Sequence, residues 1–423
     1  MFHKRYRSHH DSEHALKKLL NTTPHIVPKD DLIKVLGTSP EKDDRVLYCH
    51  VPYCDKICSF CNLNRKFCGD AQSKKNQTLT DYTDYICSQI ESFSDYSYIS
   101  EKPFKTVYFG GGTPTVLKTS QLSRIIETIH RHLTLTDNCE FTMESTLHNL
   151  DDEKIARLKE LGVNRFSIGI QTFNDAGRQV MGRTFDQSET VKRLSDIRKL
   201  FDQTLCIDII YSYPGQTIGN IYNDVQLLLN CQVDSVSFYS LMLHEGSVLN
   251  KQIENGEVVF DRTLESDRTY HNTFYEALIT KGFERLELSK LVKPGRDEYR
   301  YIKLKYLNAD VLPIGVGAGG RLGNISIYNM APHKNMYTLT NPEFDFFHEM
   351  LGRMQYGIYD LVWYKDNLTP EAYDGFMKQF VSLFEERFFN EESDGLFTLT
   401  TDGVFWGNNI AVELLKSMIQ SIK

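Results

Sequence analysis

Cys54, Cys58 and Cys61 stand in the stretch HVPYCDKICSFC (50–61), with three residues between the first pair and two between the second. Thiolates so spaced can fold around one corner of an iron–sulfur cube. A four-iron cluster takes four cysteines when fully ligated. Three on a single loop leave one iron open to bind a small molecule and react. Zinc is the competing reading, because Cys68 lies seven residues on and could complete a four-cysteine site. Structural zinc motifs pair their ligands as two separated knuckles, a pattern that three close cysteines and one distant one match poorly.

Such residues act together only if strands and helices bring them together. From about residue 45 the chain alternates short apolar strands with amphipathic helices. Strands read at 46–51, 106–110, 140–144, 165–170, 205–210 and 235–240, and helices at 82–93, 120–133, 151–161, 188–200 and 218–229. Strands separated by helices imply parallel pairing with right-handed crossovers. A closed barrel needs eight strands, so six predict an α/β fold built as a partial, open-sided (β/α)6 barrel. Barrels of this kind place chemistry at the C-terminal ends of their strands. The cysteine loop follows the first strand; Gly110, Gly111, Gly112 and Thr113 end the second, Glu144 the third, Gln171 the fourth and Asp208 the fifth. That convergence marks one site.

The flanks are less explicit. Residues 1–44 read as an N-terminal polar arm, with Pro24, Pro28 and Pro40 breaking any long helix. His3, His9, His10 and His14 share no helical or strand period, so they are expected in solvent rather than on a metal or a haem iron. Residues 45–330 read as the catalytic domain, and 331–423 as a smaller, mainly helical domain closing with a helix over 408–422. The run GVGAGGR (315–321) invites a dinucleotide reading, but that fingerprint must open a helix. The β-prone LGNISIYN follows it here, so the run is expected to be a turn that lets backbone approach a bulky ligand at the barrel mouth.

Over 423 residues the chain is 41% hydrophobic and 25% charged, as ordinary globular proteins are. A net charge of −8 and the lack of a basic patch argue against nucleic acid as a partner. No apolar run approaches a membrane span, and MFHKRYR at the start is followed by no signal-peptide core. Nine cysteines in such a chain read as thiols rather than a disulfide framework. The expected location is cytoplasmic, in a cell with an anaerobic phase, because oxygen destroys exposed clusters.

In order along roughly 45–330, the cysteine motif, GGGTPT (110–115), Glu144, NRFSIGIQTF (164–173) and DIIYSYPGQ (208–216) resemble the radical S-adenosylmethionine (SAM) enzymes. Within them the branch of oxygen-independent coproporphyrinogen III oxidase is the most similar. The resemblance implies a [4Fe–4S] cluster on Cys54, Cys58 and Cys61, with SAM chelating the open iron and being cleaved to a 5′-deoxyadenosyl radical. A low-potential electron donor such as a flavodoxin or ferredoxin is implied with it. The cofactor carries the hard chemistry and the protein orients it. The same resemblance implies that Tyr48, Phe60, Gly111, Gly112, Thr113 and Glu144 contact this SAM, and that Gln171, Arg183 and Asp208 hold a second one. Strand packing for Tyr48 and a surface ion pair for Arg183 are the plainer alternatives. Leu63 stands where the oxidase has a further cysteine.

Three stretches, RDEYRY (296–301), NADVLPIGVGAGGRLG (308–323) and LTTDGVFWGNN (399–409), resemble a narrower group, the radical SAM methyltransferases of anaerobic haem breakdown (the ChuW/HutW type). That implies haem as substrate, ring opening with iron release, and methyl transfer from the second SAM to give a linear tetrapyrrole. Arg321 is then a candidate anchor for a propionate, with a surface salt bridge as the alternative. Coproporphyrinogen oxidation and haem chaperoning are the other activities of the branch.

Overall fold

The computed structural model describes residues 2–61, 65–69 and 72–423. Asn62, Leu63 and Asn64, among them the position compared with an oxidase cysteine, lie outside the described residues. The six expected strands are β1 (Arg45–Val51), β2 (Phe104–Gly111), β3 (Leu135–Ser145), β4 (Arg165–Gln171), β5 (Thr204–Tyr211) and β6 (Ser235–Ser240). Each pairs parallel with the next, in registers such as Leu47 with Val107, Val107 with Phe141 and Ile168 with Ile207. Helices Gln72–Ser94, Thr119–His132, Asp152–Glu160, Gln187–Leu200 and Ile218–Asn230 cross between them. Leu122, Ile125, Ile126 and Ile129 bury one stripe of the second of these helices, each such side chain contributing roughly 1.5–3 kcal/mol. Asp151, Asp186 and Thr217 cap the last three by accepting a backbone N–H of the first turn, which fixes where each helix leaves its loop.

The sheet extends further than expected on both sides. Beyond β6 it adds the antiparallel pair β7 (Glu284–Glu287) and β8 (Lys290–Val292). Beyond β1 it adds β9 (Asp310–Ile314), which is parallel to β1, and then antiparallel β10 (Gly319–Leu322), β11 (Ile325–Ala331) and β12 (Lys334–Leu339). Pro313 inside β9 and the glycines on its flank mask these strands in the sequence, since both residue types are depleted in strands. The glycine run turns the chain into this hairpin and lets it pack closely on the backbone of β1 and β9. A Cβ at Gly315, where φ is +92°, would sit 2.3 Å from the His50 carbonyl oxygen, and one at Gly320 would sit 2.3 Å from that of Val311.

Residues 1–44 also depart from expectation. They fold into helices His9–Leu20 and Lys29–Leu36, the first opened by a capping box between Ser8 and Asp11. Leu16 and Leu20 are buried, and Arg5 donates to the Phe405 carbonyl at 2.9 Å and pairs with buried Asp267 at 3.1 Å. The segment is polar because its partners are polar groups far along the chain. His3, His10 and His14 are exposed as expected, but His9 packs on Tyr306 and His348, with ring centroids 4.7 and 5.8 Å away. Burial pushes His9 down to about 3, so its ring is neutral.

After β12 the chain is mainly helical, with helices Pro342–Met354, Leu361–Asn367, Pro370–Glu385, Thr401–Phe405 and Gly407–Ile422 around a small sheet of Ile358–Asp360, Phe389–Ser393 and Leu396–Leu399. Among the described residues no helix is long and apolar enough to cross a membrane.

Candidate active site

The C-terminal ends of β1 to β5 share one cavity of about 240 Å³. Cys54, Cys58 and Cys61 line it together with Phe60. Their loop is pinned at both ends and in the middle. Lys66 N donates to Pro52 O at 2.6 Å and Cys68 N to Cys54 O at 3.0 Å, which closes it, while Ser59 N donates to Met181 O and Leu249 N to Ser59 O. Burial pushes the Cys54 thiol up to about 11, a proton that metal ligation would displace.

Gly111, Gly112 and Thr113 also line the cavity. A Cβ on Gly112 would lie 2.7 Å from Tyr53 O and 3.0 Å from Cys54 Sγ, so the absent side chain lets the end of β2 lie against the cysteine loop. Thr113 N donates to Tyr53 O at 2.9 Å, and Thr113 Oγ1 lies 3.5 Å from Cys54 Sγ.

Glu144, at the end of β3, accepts from the Tyr108 hydroxyl at 2.6 Å and from Gly111 N at 3.2 Å. Burial raises its carboxyl to about 7, with the charge of Asp208 adding to the effect and the Tyr108 hydrogen bond opposing it. Gln171 ends β4 with φ at +67°, just past a shift of register between Gly169 and Gln171. A buried non-glycine residue in the left-handed region is strained and is held there by its surroundings. Its Oε1 is buried without a partner among the described residues. Arg183 donates from Nη1 to Cys58 Sγ at 3.0 Å and from Nη2 to Gly169 O, which replaces the surface ion pair considered for it. Asp208 is half-buried at the same cavity and accepts no hydrogen bond from a described residue.

Two expected site residues lie elsewhere. The Tyr48 hydroxyl is 2.9 Å from His50 Nδ1, and its ring stacks with Tyr301 at 5.8 Å and Tyr108 at 6.1 Å. That is strand packing, not a cavity position. Arg321 pairs with Asp345 at 2.9 Å and donates to Gly323 O, so the salt bridge stands where a propionate anchor was expected. Conversely, Lys56, Arg65, His148, Ser167 and Thr184 line the cavity without having been singled out. His148 lies 3.1 Å from Asp55 of the cysteine loop. Its place just beyond the third strand was the available signal.

A family model described as Radical SAM superfamily matches residues 48–228. The heme chaperone HemW of Lactococcus lactis is 31% identical over 285 residues, covering 67% of this chain and 72% of that protein. This chain belongs to the radical SAM superfamily. It sits in the HemN-like branch. An anaerobilin synthase of Escherichia coli O157:H7 is 29% identical over 393 residues, covering 90% of this chain and 85% of that protein. Among solved structures, the coproporphyrinogen III oxidase HemN of Escherichia coli superposes with a TM-score of 0.76 at 17% identity over 94% of this chain and 98% of that one, a likeness of fold.

Membership in the radical SAM superfamily implies a [4Fe–4S] cluster and SAM, and the cavity fits both. Three thiols line it, Cys54 Sγ lies beside a glycine whose Cβ would crowd it, and Gln171 Oε1 and the Asp208 carboxylate have acceptor capacity to spare. Zinc on four cysteines is the reading this displaces.

Proposed function

We propose that this radical SAM enzyme opens the haem ring without oxygen and methylates it, giving a linear tetrapyrrole. The observation that carries the proposal is the extent of the likeness to anaerobilin synthase: it spans 90% of the chain and so reaches well past residue 331, whereas the HemW match spans 67%. When bound, SAM would supply the adenosyl group and the cluster the electron that releases it as a radical, that electron coming from a low-potential donor such as a flavodoxin or ferredoxin.

In this reading residues 45–330 are the catalytic unit, in the cytoplasm, and the chain's own groups hold and orient. Cys54, Cys58 and Cys61 would hold the cluster, whose remaining iron is then available to SAM. Gly112 and Thr113 form a wall close to the cluster, and the Glu144 carboxylate accepts from an ammonium or a ribose hydroxyl. Gln171, Arg183 and Asp208 hold a second SAM: Gln171 through its unpartnered Oε1, Asp208 as the anion, and Arg183 through donors not committed to Cys58 and Gly169.

Glu144 makes this binding depend on pH. Its pKa of about 7 leaves it protonated in acid, so SAM affinity should rise with pH through that value and level off above it. Binding isotherms for the reconstituted protein should lose that step in Glu144→Gln. A step that survives the substitution removes Glu144 from the site. The sign for stability is opposite: the folded state keeps this proton longer than the unfolded chain, so the apo protein loses stability as pH rises towards 7.

The deciding experiment offers haem and coproporphyrinogen III separately to the anaerobic enzyme with SAM and reductant, read by mass spectrometry. Haem should lose its Soret band and yield a tetrapyrrole one methyl group heavier than ring opening alone gives. Release of unmodified haem would favour a chaperone, the reading supported by the 31% identity to HemW. Carbon dioxide and protoporphyrinogen from the other substrate would make the protein an oxidase.

A further inference from the structure

Far along the chain from the cysteine loop, the N-terminal helix His9–Leu20 packs against the helix Pro342–Met354. His9 and Glu13, one turn apart, meet His348 there. One ligand atom from each lies within 4.8 Å of the other two. Bonds of about 2.0–2.2 Å from nitrogen and oxygen to a small divalent ion require donors gathered at this scale.

The surroundings prepare each donor. Asn308 donates from Nδ2 to the Asp345 carbonyl at 2.8 Å, which leaves its Oδ1 to accept from His348 Nδ1 at 3.0 Å. That chain assigns the proton of His348 to Nδ1 and the lone pair to Nε2. A metal-ligating histidine is oriented in this way by an oxygen acceptor behind it. Asn308 is itself held in place, with φ at +55° and its carbonyl accepting from Lys42. His9 Nδ1 is buried without a hydrogen-bond partner among the described residues, a state that native interiors rarely leave uncompensated. Glu13 accepts from Lys17 through Oε1 at 2.7 Å, while Oε2 has His10 Nδ1 at 3.8 Å, beyond hydrogen-bonding distance. The Lys17 side chain is half exposed and free to turn towards water.

We propose that His9, Glu13 and His348 bind a divalent transition-metal ion of the zinc type, clasping the N-terminal helix to the C-terminal helices. Two imidazoles and one carboxylate suit zinc and its transition-metal neighbours rather than magnesium or calcium, which prefer oxygen alone. The fourth position of a tetrahedral ion falls to water. Lys17 and Lys305 lie near enough to oppose a cation, so the site binds less tightly than one without them. It shares no residue with the cysteine loop and does not depend on which tetrapyrrole the enzyme handles.

The test uses the anaerobically reconstituted protein, whose cluster cysteines are then occupied by iron, and zinc alone as the probe. After dialysis against zinc and gel filtration, the protein should hold one zinc per chain, with its iron content unchanged. Zinc-edge X-ray absorption should show nitrogen and oxygen neighbours and no sulfur, and zinc should raise the unfolding midpoint. Glu13→Gln, which keeps the shape of the side chain, and His348→Ala should each lose the zinc and the rise in midpoint while retaining iron. Absence of bound zinc in the unaltered protein would overturn the proposal, as would sulfur scattering at the zinc edge or full zinc retention in both variants. The absorption measurement needs no variant, so the test stands even if His348→Ala misfolds.

Discussion

Cys58→Ala, Cys54→Ala and Cys61→Ala should each take bound iron and sulfide from about four per chain to near none, and with them the broad brown absorption that bleaches on reduction. Reductive cleavage of SAM should fall below detection in all three. Cys68→Ala should keep the cluster. Cys68 is buried, and the backbone N–H it gives to Cys54 O is one that alanine retains. Cys58 should be the most damaging position for the surrounding geometry, since Arg183 donates to its sulfur and would lose that acceptor as well. Iron and acid-labile sulfide assays on anaerobically reconstituted proteins decide the matter. Tightly held zinc without sulfide, or cluster loss confined to the Cys68 variant, would return the site to a zinc reading.

Asp208→Asn should separate two activities that share the cavity. The substitution conserves shape, and Asp208 accepts no hydrogen bond from a described residue, so the fold has little to lose. If Asp208 holds the second SAM, formation of 5′-deoxyadenosine should persist while methyl transfer falls by tenfold or more, since a charge-assisted hydrogen bond is worth about 1.5–3 kcal/mol. A second readout comes from Glu144, whose carboxyl is raised partly by the charge of Asp208. Removing that charge should move the pH step in SAM affinity downward. Equal loss of both activities would mean a single SAM site and would count against the methyltransferase reading.

A feature of this fold is legible in the sequence to the extent that its signal is local. Apolar runs that a parallel sheet buries on both faces marked β1 to β6, and the rule that barrels work at strand ends then placed Gly112, Glu144, Gln171 and Asp208 around one cavity. Strand β9 was not legible, because Pro313 and the glycines after it suppress the strand pattern, and only pairing with β1 overrides that local preference.

The remaining differences are all long-range. Arg321 carries no mark of Asp345 in its neighbourhood, yet their ion pair determines what it does. Tyr48 alternates correctly for a strand, but whether its ring faces a cofactor or Tyr301 depends on a segment that arrives much later in the chain. His9 looked like one of several solvated histidines until the packing of two helices set it beside His348. Residue type and spacing therefore determined the cysteine loop, the barrel strands and the ends at which chemistry gathers, because those follow from periodicities a few residues long. Tertiary structure alone decided which polar groups pair and which are left facing a cavity, because a hydrogen-bond partner is chosen by proximity in space, on which sequence distance has no bearing.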